Sequence, residues 1–357
     1  MKKNQTDNPS ATAQTTRSCG KKTTIGGQAL IEGLMMIGPT KKAMAIRKPD
    51  GTIYLEEMPA TRFTGAANLL FIRGSVRMFQ QLVTGTRALL RSAEFVEDET
   101  PAAETAGSET GDGAPDGSLP NDGPTGKKEQ ANPISAWFDR LFDRHKDLML
   151  YISAILGILF SVGLFILLPN LITSLIGKVS GMDYNHGAGS MILRNLLEGV
   201  IRIAIFVGYL ALASRMKDIQ RVWMYHGAEH KAVACYEDRH DLIVDNVRQY
   251  SRFHPRCGTA FMFIVILVSI VVFSFFGWWA PWINLLIRFA LVPLVAGIAY
   301  EIIRLAGRYD NPLTRAIAAP GLWLQRLTTA EPDDSMLEVA IAALQAVVPE
   351  QSQSDQW

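Results

Sequence analysis

Two stretches of this chain hold more consecutive uncharged, mostly apolar residues than a soluble domain of this size has use for. Leu148 to Leu168 runs 21 residues without a charge, and Cys257 to Ile287 contains no charged residue either. Roughly 20 apolar residues carry an α-helix across the hydrocarbon core of a bilayer, so both runs read as membrane helices. Two weaker spans, from about Leu193 to Ser214 and from about Ile283 to Leu305, contain Glu198 with Arg202 and Arg288 with Glu301. The expectation is an α-helical polytopic membrane protein of about four transmembrane helices, with a small α+β cytoplasmic face that includes a β-hairpin. For the 193–214 segment, an amphipathic helix lying on the membrane is the alternative. A hydrophobic content of 48% and a positive mean hydropathy agree with that class.

Orientation follows from the loops, because Lys and Arg accumulate on the cytoplasmic side. Eight of them lie between Arg215 and Arg256, whereas Pro169 to Arg194 holds only Lys178 and Arg194. Both termini and the 214–259 loop are therefore expected in the cytoplasm, with Trp278, Trp279 and Trp282 at the opposite headgroup boundary. Residues 1–24 are polar and have no apolar core of a cleavable signal. Cys19, Cys235 and Cys257 all fall on the inferred cytoplasmic side, where thiols stay reduced, so no disulfide is implied.

Before the first span, residues 1–24 read as a disordered tail. "AMAIRKPDGTIYLEEM", Ala43 to Met58, flanks a Pro-Asp-Gly turn with alternating strands, the signature of a β-hairpin. The glycine-rich "IGGQALIEGLMMIGP" upstream has neither GK[ST] nor GxGxxG, and reads as close backbone packing in a small sheet rather than a phosphate cradle. Phe63 to Phe95 mixes apolar residues with Arg73, Arg77, Arg87 and Arg91. That suits helices at the inner leaflet, and equally helices packed on other cytoplasmic elements. Ser92 to Gly126 holds nine acidic residues and no basic one, the composition of a disordered linker. Without those nine, 35 basic residues face 25 acidic ones. Membrane lipid accounts for that excess, membrane-protein partners are compatible with it, and no nucleic-acid motif competes.

The expected organisation is a tail (1–24), a cytoplasmic hairpin with interfacial helices (25–95), an acidic linker (96–133) and a first membrane helix pair (134–214). A cytoplasmic loop (215–259), a second membrane pair (260–306), a C-terminal amphipathic segment (307–349) and a tail (350–357) follow.

The chemistry concentrates in the 215–259 loop. In "YHGAEHKAVACYE", His226, Glu229 and His230 share one face if Ile219 to Cys235 is helical. Two imidazoles at i and i+4 can grip one metal ion, and HxxEH is the inverse of the zinc-peptidase order HExxH, in which the glutamate handles the proton of a metal-bound water. Downstream, "FHPRCGTAF" sets His254 and Cys257 three apart around Pro255, and both suit zinc. Four protein ligands would make a closed structural site; three would leave a position for water. Glu301, near the cytoplasmic end of the fourth span, is a further candidate ligand, with pairing to Arg304 or Arg256 as the alternative. Glu237, Asp238, His240 and Asp241 read as a solvated turn before a strand-like "DLIVDNV". His145 and His186 stand alone, Cys235 reads as packing, and Glu198 with Arg202 neutralise each other at i and i+4. After the last span, "PGLWLQRLTTAEPDD" suggests an interfacial segment with Trp323 at the lipid boundary. Ser335 to Val348 reads as an amphipathic helix capped by Asp333 or Asp334.

The stretches "GGQALIEGLMMIGP", "RKPDG", "YHGAEHKAVACYE", "HPRCGTAF", "PLVAGIAYE" and "PGLWLQRLTTAEPDD" resemble the YqhQ-like family. These are bacterial membrane proteins of unknown function, sometimes described as metal-dependent enzymes. The resemblance implies a multi-pass protein of the bacterial cytoplasmic membrane. With the residues above, it sets three expectations in order. The first is a metal-dependent hydrolase, with Zn2+ as the expected ion, Glu229 as its base and His226, His230, His254, Cys257 and Glu301 as the pool of ligands. A non-catalytic scaffold or assembly factor with a structural metal comes second, and a transporter third.

Overall fold

The computed structural model describes residues 22–61, 69–97, 146–181, 188–276, 281–309 and 311–349. Residues 98–133 of the expected acidic linker, Cys19, His145, His186, Trp278 and Trp279 lie outside them, whereas Ser92 to Glu97 of that acidic stretch are helical. The chain is mostly helical and divides into two compact units, residues 1–99 with 207–357, and residues 100–206.

The first unit opens with a four-stranded antiparallel sheet, β1 (Gly26–Leu30), β2 (Gly33–Ile37), β3 (Lys41–Arg47) and β4 (Ile53–Pro59), in the order β1-β2-β3-β4. The Pro-Asp-Gly turn joins β3 to β4 as expected, with Gly51 at φ 84°, a value glycine adopts without strain. The glycine-rich stretch upstream supplies a second hairpin, β1 with β2. Period-two alternation then sorts side chains to two faces. Leu34, Met36, Ala43 and Ala45 face one apolar core, and Leu30, Met35, Met44 and Ile46 face another. Helix α1 (Ile72–Glu97) closes the second face through Ala88 and Phe95.

In the second unit, helices α2 (Lys146–Val162) and α3 (Leu168–Ser180) are joined through a π-helical turn at Gly163–Leu167. Pro169 has no N–H to offer the carbonyl of Phe165 four residues earlier, and a widened turn accommodates its ring. That carbonyl instead accepts from Arg202 Nε at 3.0 Å, while Arg202 Nη2 meets Glu198 at 2.7 Å, the expected i, i+4 pair. Both lie on α4 (Ala188–Ala213). The helix thus continues well past Leu168, because Pro169 sits at a position where a missing donor costs little.

The first unit resumes with α5 (Lys217–Glu237), a short α6 (Val244–Arg248), α7 (Gly258–Ser274), α8 (Pro281–Arg308), α9 (Pro312–Thr328) and α10 (Asp334–Val347). Two expectations change here. "DLIVDNV" forms no strand: Asp241 to Ile243 lead into the single turn of α6, and Val247 is buried against the core. The C-terminal helix α10, capped by Asp333 Oδ1 accepting from Met336 N–H at 2.9 Å, is not a surface amphipath. It buries Met336, Leu337, Val339, Ala340, Leu344 and Val347 between the sheet and α5, and so forms the middle of the main core.

Among the described residues, three helical stretches are long and apolar enough to cross a membrane: Ile155–Ser180, Gly189–Ala213 and Ile283–Arg308. The uncharged run beginning at Cys257 breaks between Ser274 and Pro281, which leaves α7 as a shorter apolar helix of 17 residues. The chain is therefore read as a multi-pass membrane protein with a small sheet-bearing domain.

Candidate metal centre

The middle of α5 is unusually buried for a helix bearing so many polar groups: Glu229, His230, Lys231 and Glu237 all lie inside. Small residues make this feasible. Gly227 leaves no space for a side chain, because a Cβ there would fall on the carbonyl of Ala330, and Ala228 and Ala232 let the sheet and α10 close over the helix.

His226 and His230 lie one turn apart with ring centroids 4.4 Å from each other. Each ring is fixed from behind by a backbone carbonyl: His226 Nδ1 bonds Thr328 O at 2.7 Å, and His230 Nδ1 bonds Arg252 O at 2.6 Å. A carbonyl only accepts, so both Nδ1 atoms carry the proton and each Nε2 is left to face the centre. There His226 Nε2 stands 3.2 Å from Cys257 Sγ. One ligand atom each from His226, His230 and Cys257 all fall within 4.8 Å of one another. Zinc bond lengths of about 2.0–2.3 Å in a tetrahedron separate neighbouring ligand atoms by about 3.5 Å, so the group needs little adjustment. Two imidazoles and a thiolate favour zinc over hard cations such as magnesium or calcium.

Cys257 reaches this position as the N-cap of α7, its Sγ accepting from Thr259 N–H at 3.3 Å. Burial alone would raise its pKa, but the neighbouring imidazoles of His230 and His226 outweigh burial and hold the thiol well below its usual 9.0. Burial pulls His226 down, yet the charge and hydrogen bond of Cys257 hold it up to about 9. Both shifts favour an imidazolium beside a thiolate, from which a bound cation would displace the His226 proton.

Glu229 sits beside this group. Its Oε1 accepts from Gly27 N–H of β1 at 2.6 Å, while its Oε2 is buried with no hydrogen-bond partner among the described residues. Burial pushes its carboxyl above the usual 4.5, although His230 and His226 pull the other way. A Cβ on Gly27 would stand 3.0 Å from the Glu229 carboxyl carbon and 2.7 Å from Met35 O, so glycine at 27 is what lets strand and carboxylate meet.

The other expected ligands are placed differently. His254 stacks near His230, ring centroids 5.6 Å apart, but stays outside the three-ligand group. Its ring lies against Glu237 Oε2 at 3.6 Å and Arg256 at 3.4 Å, and burial holds its pKa below 6.5. Its backbone is clamped by Gln325 of α9, which accepts from His254 N–H at 2.8 Å and donates to its carbonyl at 2.7 Å. Glu301 is not brought to the centre either. Arg73 of α1 holds its two oxygens at 2.6 and 2.5 Å, a partner that neither sequence alternative named.

Glu237 is a correction. The expected solvated turn begins one residue later, and Glu237 itself is buried, accepting from Thr23 N–H at 2.8 Å and pairing with Arg256. Gln325 and the carbonyls of Arg252 and Thr328 had no signal in the sequence. Gln325 and Thr328 lie in the "PGLWLQRLTTAEPDD" block, whose visible signal is Trp323 at the lipid boundary.

The model of a family described as "Protein of unknown function (DUF1385)" matches residues 69–350, which include α1 to α10 and all three triad residues. The chain is similar to the uncharacterized protein YqhQ of Bacillus subtilis (strain 168), 29% identical over 335 residues that cover 93% of this chain and 94% of the relative. No solved structure matches it. The chain therefore belongs to the YqhQ-like DUF1385 family, whose function is not known.

Proposed function

We propose that the protein is a zinc-dependent hydrolase of the bacterial cytoplasmic membrane, with His226, His230 and Cys257 as ligands and Glu229 as general base. The observation that carries this reading is the pairing of a three-donor cluster with a buried Glu229 Oε2 that has no partner among the described residues. Three protein ligands leave a fourth position for water, as in catalytic rather than structural zinc sites. His254, turned to Glu237 and Arg256, supports the open arrangement over a closed four-ligand one. A bound zinc ion lowers the pKa of a water ligand to near neutrality. Glu229 Oε2 would accept the proton that water loses as its oxygen bonds to the substrate, and return it to the leaving group. Gly27 N–H keeps the carboxylate in place meanwhile.

The topology we propose has four spans, with α7 as the short third, and both termini in the cytoplasm. The basic loop between Arg215 and Arg256 supports that orientation. Because Cys257 caps the apolar α7, the centre would then lie at the inner leaflet surface, within reach of membrane-attached peptide, ester or lipid linkages.

Incubating the detergent-purified protein with inner-membrane extract in 18O-water tests the reading. The wild type is expected to introduce 18O into newly formed acids, and Glu229→Gln to lose at least about a hundredfold of that rate while keeping its metal. Equal incorporation by the two proteins would remove Glu229 from the chemistry.

A further inference from the structure

Helix α1 is covered on one side only. Gly85 sits against the Gln28 side chain of β1, Ala88 and Phe95 close the second core of the sheet, and Ser92 Oγ accepts from Ile31 N–H at 3.3 Å. Near its start, Gly74 lies against Gly297 and Tyr300 of α8, and Arg73 holds Glu301. A helix turns by about 100° per residue, which gathers Gly74, Gly85, Ala88 and Ser92 on one face. Ile72, Phe79, Leu82, Leu89 and Leu90 fall within about 100° of arc on the opposite face. All five are exposed, Phe79 at 67% and Leu82 at 64%. Arg73, Arg87 and Arg91 line one flank of that apolar arc.

What covers the apolar arc follows from where α8 holds the helix. The apolar stretch of α8, Ile283–Arg308, is 26 residues long. At about 1.5 Å per residue it measures about 38 Å, against about 30 Å of hydrocarbon. Gly297 stands fourteen residues after Ile283 and eleven before Arg308. With α8 crossing the bilayer, and even with all its excess length projecting at the Arg308 end, Gly297 lies about 8 Å inside the hydrocarbon layer. Tilting the helix, or shifting it the other way, takes Gly297 deeper. Phe71 and Gly74 touch Gly297, and Ser75 Oγ donates to the Pro293 carbonyl one turn farther from Arg308. The first turns of α1 therefore lie at lipid depth.

We propose that α1 is an in-plane membrane helix, its apolar arc from Ile72 to Leu90 immersed in the phospholipid acyl chains of the leaflet nearest the sheet, and its arginine flank at the headgroup phosphates. The arc is continuous with lipid-facing surface: Ser75, which lies within it, bonds Pro293, whose neighbours Val292 and Leu294 on α8 are exposed as well. A helix at the boundary of a leaflet needs an apolar side toward the chains and a basic side toward the phosphates, which is the arrangement α1 has. Arg87 is exposed and unpaired among the described residues, and so is free to meet a phosphate. Because α1 packs on the sheet whose Gly27 holds Glu229, its immersion seats the sheet at the bilayer surface. This inference rests on α8 crossing the membrane and is independent of the hydrolase reading.

The test uses the full chain with Cys19→Ser, in vesicles of phosphatidylethanolamine and phosphatidylglycerol, and places one nitroxide at a time at Phe79→Cys, Leu82→Cys, Arg87→Cys, Leu90→Cys or Asp245→Cys. Cys235 and Cys257 are buried. Power saturation compares collisions with oxygen, which concentrates in lipid, and with a neutral nickel chelate, which stays in water. Labels at 79, 82 and 90 are expected about 5–10 Å below the phosphates. The label at 87 is expected at phosphate level, and that at Asp245 of α6, whose side chain is 82% exposed, in water. Nickel contact at 79, 82 or 90 as free as at 245 would overturn the proposal, since water would then cover that part of the face. Labels shielded from both reagents would overturn it too, assigning the face to another protein segment or a second copy. Each position reports alone, so a variant that fails to fold leaves the others to decide.

Discussion

Glu237 ties together two pieces of chain far apart in sequence, bonding the Thr23 N–H on one side and facing the Arg256 guanidinium and the His254 ring on the other. Burial raises its pKa, but the nearby His254 ring and the charge of Arg256 outweigh burial and hold it below the usual 4.5. A carboxylate with a depressed folded pKa contributes stability that is fully present above its unfolded value and is lost as pH falls through the folded one. The unfolding temperature in detergent should therefore drop as pH falls below about 4.5, and drop less in Glu237→Gln. Superimposable pH profiles for the two proteins would show that the cluster contributes nothing. At this scale the sequence was legible where the geometry is local. His226, Glu229 and His230 could be grouped because three- and four-residue spacing on a helix fixes one face, and Cys257 could be added because it falls in the same loop. Glu237 was misread because its neighbours arrive from residues 23 and 256, and Glu301 because its partner Arg73 lies 228 positions away. No residue type announces that its backbone carbonyl will orient an imidazole.

Elements followed sequence wherever a turn or a cap has its own chemistry. The Pro-Asp-Gly hairpin and the Asp333 cap are of this kind. The length of a helix was less legible, because nothing in the apolar run to Leu168 shows that a π turn will carry the helix past Pro169. Nor does an apolar stripe say what covers it: α10 looks amphipathic alone but is sealed between sheet and α5. Helix α1 raises the same question, and close packing of glycines answers it in part. Gly74 fits against Tyr300 and Gly297, and Gly297 fits against the Phe71 carbonyl, which brings α1 onto α8 and sets Arg73 on Glu301. A Cβ at 297 would overlap that carbonyl. Gly297→Ala is expected to cost about 1–3 kcal/mol through overpacking, measured as a lowered unfolding midpoint, with faster proteolysis of the 69–97 segment. An unchanged midpoint would mean that α1 does not depend on this contact.

For the whole molecule, membrane character was the most legible property, because uncharged runs of this length have few other uses. The number of crossings was less so, since charge-free sequence extends through the break between α7 and α8. The proposed orientation is open to direct measurement: a membrane-impermeant maleimide should label Cys19 in inverted vesicles and leave it unlabelled in intact spheroplasts, whereas labelling from outside would reverse the topology. The central claim is that two imidazoles and a thiolate jointly hold one ion. Elemental analysis of detergent-purified protein tests it most directly, with about one zinc per chain expected in wild type and Glu229→Gln, and almost none in His226→Ala or Cys257→Ser. Metal-free wild type, or variants that retain a full equivalent, would contradict it.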